Sequence, residues 1–241
     1  MDPRFERLAS AVADEYAAAG ASAVLLAGSV SRGVADRFSD VELGVFWPAE
    51  PDAGWEDFER DGVPFETVHL AVMKAEAVSS RVGTPLEDLS FAAALVDGRA
   101  LHGAELLSRW RERVLPYPDD LAAAVVRAHG LVDLVWQLDV NVTRDNPLLL
   151  HARLTEACKA ILHALLAANR VYWFGFKRLD EVEARLAVAP AGLADSIRET
   201  FRDPARVSPL AEETYDIVER LVPGVDVDRL RAILRYRRHS V

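Results

Sequence analysis

Gly28, Ser29, Arg32, Asp40 and Glu42 lie within one short span, and their types and spacing suit them to phosphate and metal chemistry. An apolar run, Ala23 to Ala27, ends in Gly28-Ser29. Glycine lets the chain turn sharply where a side chain would obstruct a ligand. Ser29 then falls where a helix begins, with N–H groups unpaired, so a phosphate can dock there with the Ser29 hydroxyl and Arg32 adding charge-assisted contacts. A second apolar run opens with two acids. Strand alternation puts Asp40, Glu42 and Gly44 on one face and Val41, Leu43 and Val45 on the other. Two like charges about 4 Å apart repel by roughly 4 kcal/mol at an effective dielectric near 20, a cost that a bound divalent cation reverses. Mg²⁺ suits one or two carboxylates plus phosphate oxygens.

Each half taken alone has a plain explanation. Gly-Ser is a common turn with a helix cap, and acids on the outer face of a strand are ordinary in a chain with 38 of them. Neither explanation accounts for the distance between the two halves. Gly28-Ser29, a ten-residue spacer and Asp40-Val41-Glu42-Leu43 together resemble the motif of the polymerase-β-type nucleotidyltransferase superfamily, and Arg32-Gly33 and Ser39 also match its common form. The resemblance implies that Gly28, Ser29, Arg32 and Ser39 serve the nucleotide triphosphate and that Asp40 and Glu42 hold one or two Mg²⁺ ions. It also implies a third acid on the next strand. Glu66 is the only acid between Val63 and Val72, although its flanks carry no sharp pattern; His69, or no residue, is the alternative.

The elements that position these residues follow from periodicity. A helix is expected over 3–19, stopped by Gly20, followed by a strand to Ala27, a short helix after it and a strand over Val41 to Trp47. Trp55 to Arg60 reads as a brief helix and Val63 to Val72 as a third strand, with Glu66, Val68 and Leu70 on one face. Helices over Lys74 to Val82 and Pro85 to Leu95, a strand over Val96 to His102 and a helix over Leu106 to Leu115 complete this half. Pro116 and Pro118 mark a domain boundary, giving a catalytic domain over 1–116 and a helical domain over 117–241. Beyond it strand signals disappear. Helices are expected from Asp119 or Asp120 through about Asn141, over Leu148 to Asn169, and at about 177–187, 192–202, 208–222 and 226–238. The expected class is therefore α+β, a small mixed sheet with flanking helices followed by an all-α bundle.

Within the second long helix, Leu154, Ala157, Cys158, Ile161 and Leu165 form the apolar stripe, and Arg153, Glu156, Lys159 and His163 share an adjoining face. The plain account is an exposed face laced with ion pairs. The layout also resembles antibiotic-modifying members of the superfamily, the aminoglycoside nucleotidyltransferases, and that resemblance implies a general base at Glu156 and a phosphate-binding Lys159. Residues Ala168 to Arg178 place four aromatics around Gly175, suiting a loop that packs between domains, from which Lys177 could reach a triphosphate. A hydrophobic corner capped by surface cations is the ordinary alternative.

Composition narrows the field. Residues 1–115 carry 20 acids against 11 Lys or Arg, within a chain of net charge −10. Such a balance attracts a metal and a cationic acceptor more readily than a polyanion, which argues against nucleic acid as partner. No apolar run reaches a membrane span, and there is no signal pattern at the N-terminus. One cysteine, Cys158, forms no internal disulfide, and the scattered histidines fit packing or surface roles better than zinc. The expectation is a cytoplasmic monomer or homodimer. It would move an NMP, AMP from ATP in the simplest case, to a hydroxyl of a small acceptor such as an aminoglycoside-like antibiotic. A toxin–antitoxin-type protein adenylyltransferase and a non-catalytic nucleotide-binding regulatory module are the alternatives.

Overall fold

The computed structural model describes residues 3–132 and 136–236. Backbone contacts divide the chain into two compact units, Met1–Pro116 and Tyr117–Val241. The first is an α+β unit. It runs α1 (Pro3–Ala18), β1 (Ala23–Ala27), α2 (Gly28–Ser31), β2 (Val41–Trp47), β3 (Trp55–Arg60), β4 (Val63–Ala71), α3 (Val72–Ser80), α4 (Leu86–Asp97), β5 (Arg99–His102) and α5 (Ala104–Val114).

The five strands form one mixed sheet in the order β3-β4-β2-β1-β5. The β2–β4 pair is parallel and the other pairs are antiparallel. Alternation along β2 is strict at its start: Val41, Leu43 and Val45 are buried, while Glu42 and Gly44 are half-buried. The first set packs with Val24, Leu26, Val63 and Phe65 against Phe5, Leu8, Val12 and Ala13 of α1. Behind the sheet Phe46 meets Trp110 edge-on at 4.9 Å and Phe91 at 6.2 Å, so α4 and α5 cover the far half of the other face. Arg111 secures that layer by donating to the Leu95 and Gly98 carbonyls, both at 2.7 Å.

Trp55–Arg60, expected as a helix, is strand β3. It pairs antiparallel with β4 through a tight turn in which Asp61 and Gly62 both have positive φ, 51° and 72°. That is the backbone twist an Asp-Gly hairpin turn supplies. The strand expected from Val96 starts instead at Arg99, because α4 extends through Asp97.

The second unit is helical: α6 (Asp119–His129), α7 (Trp136–Thr143), α8 (Pro147–Ala168), α9 (Leu179–Ala184), α10 (Leu193–Thr200), a short 3-10 turn at Pro204–Arg206, α11 (Val207–Leu221) and α12 (Val227–Tyr236). The core helix is α8, started by Asn146, whose side chain accepts from the Leu149 N–H at 3.3 Å, and by Pro147 at its first position. The single helix expected through Asn141 is interrupted. At Gly130 the chain leaves α6, and the buried Tyr215 hydroxyl of α11 accepts from the Val132 N–H at 3.0 Å while facing the Gly130 carbonyl at 3.4 Å. The expected helix at 226–238 is described only to Tyr236. Among the described residues no helix is long and apolar enough to cross a membrane.

Candidate functional site

The turn after β1 is built for close approach. Gly28 has φ +67°, and a Cβ on it would fall 2.4 Å from the Glu42 Cδ and 2.5 Å from Oε2. The Glu42 carboxyl group therefore lies directly over the Gly28 α-carbon. Two features that the sequence separates by fourteen positions are here one contact. The register explains it, since Ala27 pairs with Glu42 across β1 and β2.

Glu66 stands beside Glu42. The two are register partners on the parallel β2–β4 pair, so their side chains project from one face at the spacing of adjacent strands, about 4.8 Å. Asp57 of β3 is in turn the register partner of Glu66. A row of three acids, Glu42, Glu66 and Asp57, thus crosses three strands. Asp57 escapes the sequence reading because Trp55–Arg60 reads as a helix; the Asp61-Gly62 pair is the available strand signal. His69, the alternative third ligand, is on the opposite face with Thr67 and Phe65.

Asp40 is half-buried one residue before β2, positioned by a turn that Ser39 closes. The buried Ser39 hydroxyl accepts from the Asp36 N–H at 2.9 Å and donates toward Asp36 Oδ1 at 3.4 Å. Ser39 therefore shapes the entry to β2 through its own hydroxyl. Ser29 is buried and Arg32 half-buried. With four residues, α2 offers backbone N–H groups and little macrodipole, which needs a longer run of aligned peptides. Its carbonyls are occupied: Gly28 O accepts from Arg32 N at 3.3 Å and from the Ser31 hydroxyl at 3.0 Å.

The donor set fits a hard divalent cation in type, being all carboxylate oxygen with two acids side by side on adjacent strands. Among the described residues, however, no three His, Cys, Asp or Glu side chains converge as an ion site. The backbone brings Glu42 and Glu66 into line, and Asp40 does not complete a three-ligand site with them.

Glu156, Lys159 and Lys177 belong to the helical unit. Glu156 is exposed and accepts from Arg153 Nη1 at 2.6 Å, an i,i+3 ion pair. Lys159 and Lys177 are exposed. His163, expected on their face, is instead buried: its ring lies 4.9 Å from Phe176, 5.3 Å from His129 and 5.9 Å from Trp173. Burial, then His129 and Lys159, push its pKa down to about 4. The Asn169-Arg170 pair is structural. Asn169 bridges to Val188 through both its amide atoms at 2.8 Å, and Arg170 donates to the Ala167 and Leu221 carbonyls.

Fold and site together define an α+β protein whose mixed sheet carries carboxylates next to a glycine turn. No family model matches the chain, and no curated protein matches its sequence. Among solved structures it is similar to a nucleotidyltransferase-like protein from Exiguobacterium sibiricum 255-15, with a TM-score of 0.44 and 10% sequence identity, covering 88% of this chain and 76% of that one. A likeness of that size carries no argument about family or activity.

Proposed function

We propose that the chain is a Mg²⁺-dependent nucleotidyltransferase that moves an NMP, AMP from ATP in the simplest case, to a hydroxyl of a small-molecule acceptor. The observation that supports this reading most is the Glu42 carboxyl seated over Gly28 with Glu66 in register beside it. It joins a turn suited to phosphate to a pair of acids suited to a cation. Asp40, Glu42 and Glu66 would hold one or two Mg²⁺ ions, which when bound supply charge neutralisation at the reacting phosphate. Ser29 and Arg32 would hold triphosphate oxygens, and Gly28, lacking a Cβ, leaves room for the Glu42 carboxyl beside them. From the helical unit, Glu156 would take the acceptor proton and Lys159 and Lys177 would bind phosphate, as the resemblance implies. An amine-rich acceptor of the aminoglycoside kind suits the acidic balance of residues 1–115.

The test is pyrophosphate release from a panel of NTPs with Mg²⁺ and polyhydroxylated amine acceptors. Asp40→Asn and Glu42→Gln should each lower turnover by about 10³-fold, the scale on which removing one transition-state stabilising group acts, with circular dichroism unchanged. Full turnover in either variant overturns the assignment. Glu156→Gln should cost about 10²-fold, in line with loss of a general base. A non-catalytic nucleotide-binding module is the second reading, favoured by the lack of three converging ligands among the described residues. Saturable MgATP binding by calorimetry with no pyrophosphate released over the whole acceptor panel would select it.

A further inference from the structure

The sheet unit contains a cleft that the acid row does not use. Its volume is about 700 Å³, within the range of small-molecule sites, and its lining includes Trp47, Trp55, His69, Glu50, Asp52 and Glu56. Trp47 lies five residues along β2 from Glu42, about 16 Å at strand rise. Trp47 and His69 also belong to the α1 face of the sheet, whereas Glu42 and Glu66 project from the other.

One wall of this cleft is fixed by hydrogen bonds. Trp47 Nε1 donates to His69 Nδ1 at 3.1 Å. An indole N–H can only donate, so Nδ1 carries the lone pair and the ring proton sits on Nε2. That nitrogen faces Glu56 Oε2 at 3.4 Å, and the Tyr16 hydroxyl donates to the same oxygen at 2.9 Å. Burial and the neighbouring Glu56 push the Tyr16 phenol up to about 12, which keeps it a donor. Tyr16 also packs edge-on to His69 at 5.4 Å and to Trp47 at 6.2 Å. The carboxylate of Glu56 is thus held in place before any ligand arrives.

The other wall faces solvent. Asp52 is exposed on the loop between β2 and β3, and Glu50 is ion-paired with Lys74. Trp55 borders the cleft at the start of β3, but as the register partner of Val68 its side chain projects from the Glu66 face. Among the described residues no Lys or Arg lines the cleft, and Glu50, Asp52 and Glu56 do, so its field is negative. Carboxylates repel an anion, and indole faces favour a poorly hydrated cation over a small, strongly hydrated metal ion.

We propose that this cleft binds a small organic ammonium ion, held against the Trp47 indole by the Glu56 and Asp52 carboxylates, at a site separate from the one proposed for nucleotidyl transfer. The full chain would be titrated with choline and with its neutral isostere 3,3-dimethylbutan-1-ol, following tryptophan fluorescence and calorimetry. Choline should bind saturably in the millimolar range or tighter, and the neutral alcohol at least about 10-fold more weakly, the difference a cation–π contact and a carboxylate make together. Glu56→Gln should weaken choline by about 10-fold, and Asp52→Asn by about 3-fold or more. Asp52 and Glu56 are exposed, so these two variants keep the fold, as circular dichroism will verify. Equal binding of the two probes, undiminished binding by Glu56→Gln, or no saturation overturns the proposal. Loss of choline binding in Glu42→Gln would overturn the separation of the two sites. Nucleotidyl transfer is assayed independently, so failure of either reading leaves the other standing.

Discussion

The sheet unit and the helical unit each bury one histidine among aromatic rings, His69 at 7% exposure and His163 at 6%, and they treat the two rings differently. His69 has a partner for each nitrogen, the Trp47 indole on one side and the Glu56 carboxylate on the other. His163 leaves Nδ1 without a hydrogen bond, as the neighbouring Trp173 leaves its Nε1. Equal burial therefore yields opposite chemistry. In the first unit the ring is one link in a chain that runs to a solvent-facing acid. In the second it is sealed by rings and by the positive charge of Lys159, and protonation is disfavoured.

The largest effect expected from this contrast is on acid stability. A group depressed from 6.5 in the unfolded chain to about 4 in the folded one binds its proton more readily when unfolded. Stability from this source is complete above pH 6.5 and is lost as pH falls toward 4, by about 3 kcal/mol in total. Urea unfolding at pH 6.5, 5.5 and 4.5 should show that loss in the wild type and a flatter profile in His163→Leu. Identical profiles would mean that the ring protonates without unfolding, and the contrast with His69 would fail.

A smaller effect is expected at the glycine turn. Gly28→Ala places a Cβ where the Glu42 carboxyl now sits, at positive φ. The backbone term costs about 1–2 kcal/mol, and the carboxyl must swing away from its register with Glu66. Nucleotidyl transfer should therefore fall by more than the stability loss explains, and Gly28→Ala in a Glu42→Gln background should add little further loss of turnover. Additive losses in turnover would separate the turn from the acid.

The smallest effect concerns His69. Trp47→Phe removes the donor to Nδ1 and should cost about 1 kcal/mol in urea unfolding, typical of a single net hydrogen bond. Unchanged stability would mean that the indole does not hold the His69 ring.

Much of the sheet unit is legible because its information is local. The Gly28-Ser29 turn, the alternation from Val41 and the placement of Glu66 on its strand all follow from neighbours within a few residues. What escaped was set elsewhere in the chain or lay at the sheet's margin. Trp55–Arg60 has no apolar alternation because an edge strand buries little, and its hairpin partner had to be inferred from Asp61-Gly62. The break at Gly130 is stabilised by Tyr215, 85 residues away, and no local pattern announces it. His163 shares helical phase with Glu156, so periodicity assigns it to the exposed face. The rings of Trp173 and Phe176 cover it from a segment that the helix pattern does not contain.

The outermost strand, β3, carries Glu56, Asp57 and Glu59 along a ladder edge that has no further strand beside it among the described residues. A second copy approaching that margin would bring acid against acid before any backbone hydrogen bond could form. The charges that escape periodicity analysis thus act as a guard against runaway polymerisation of the sheet.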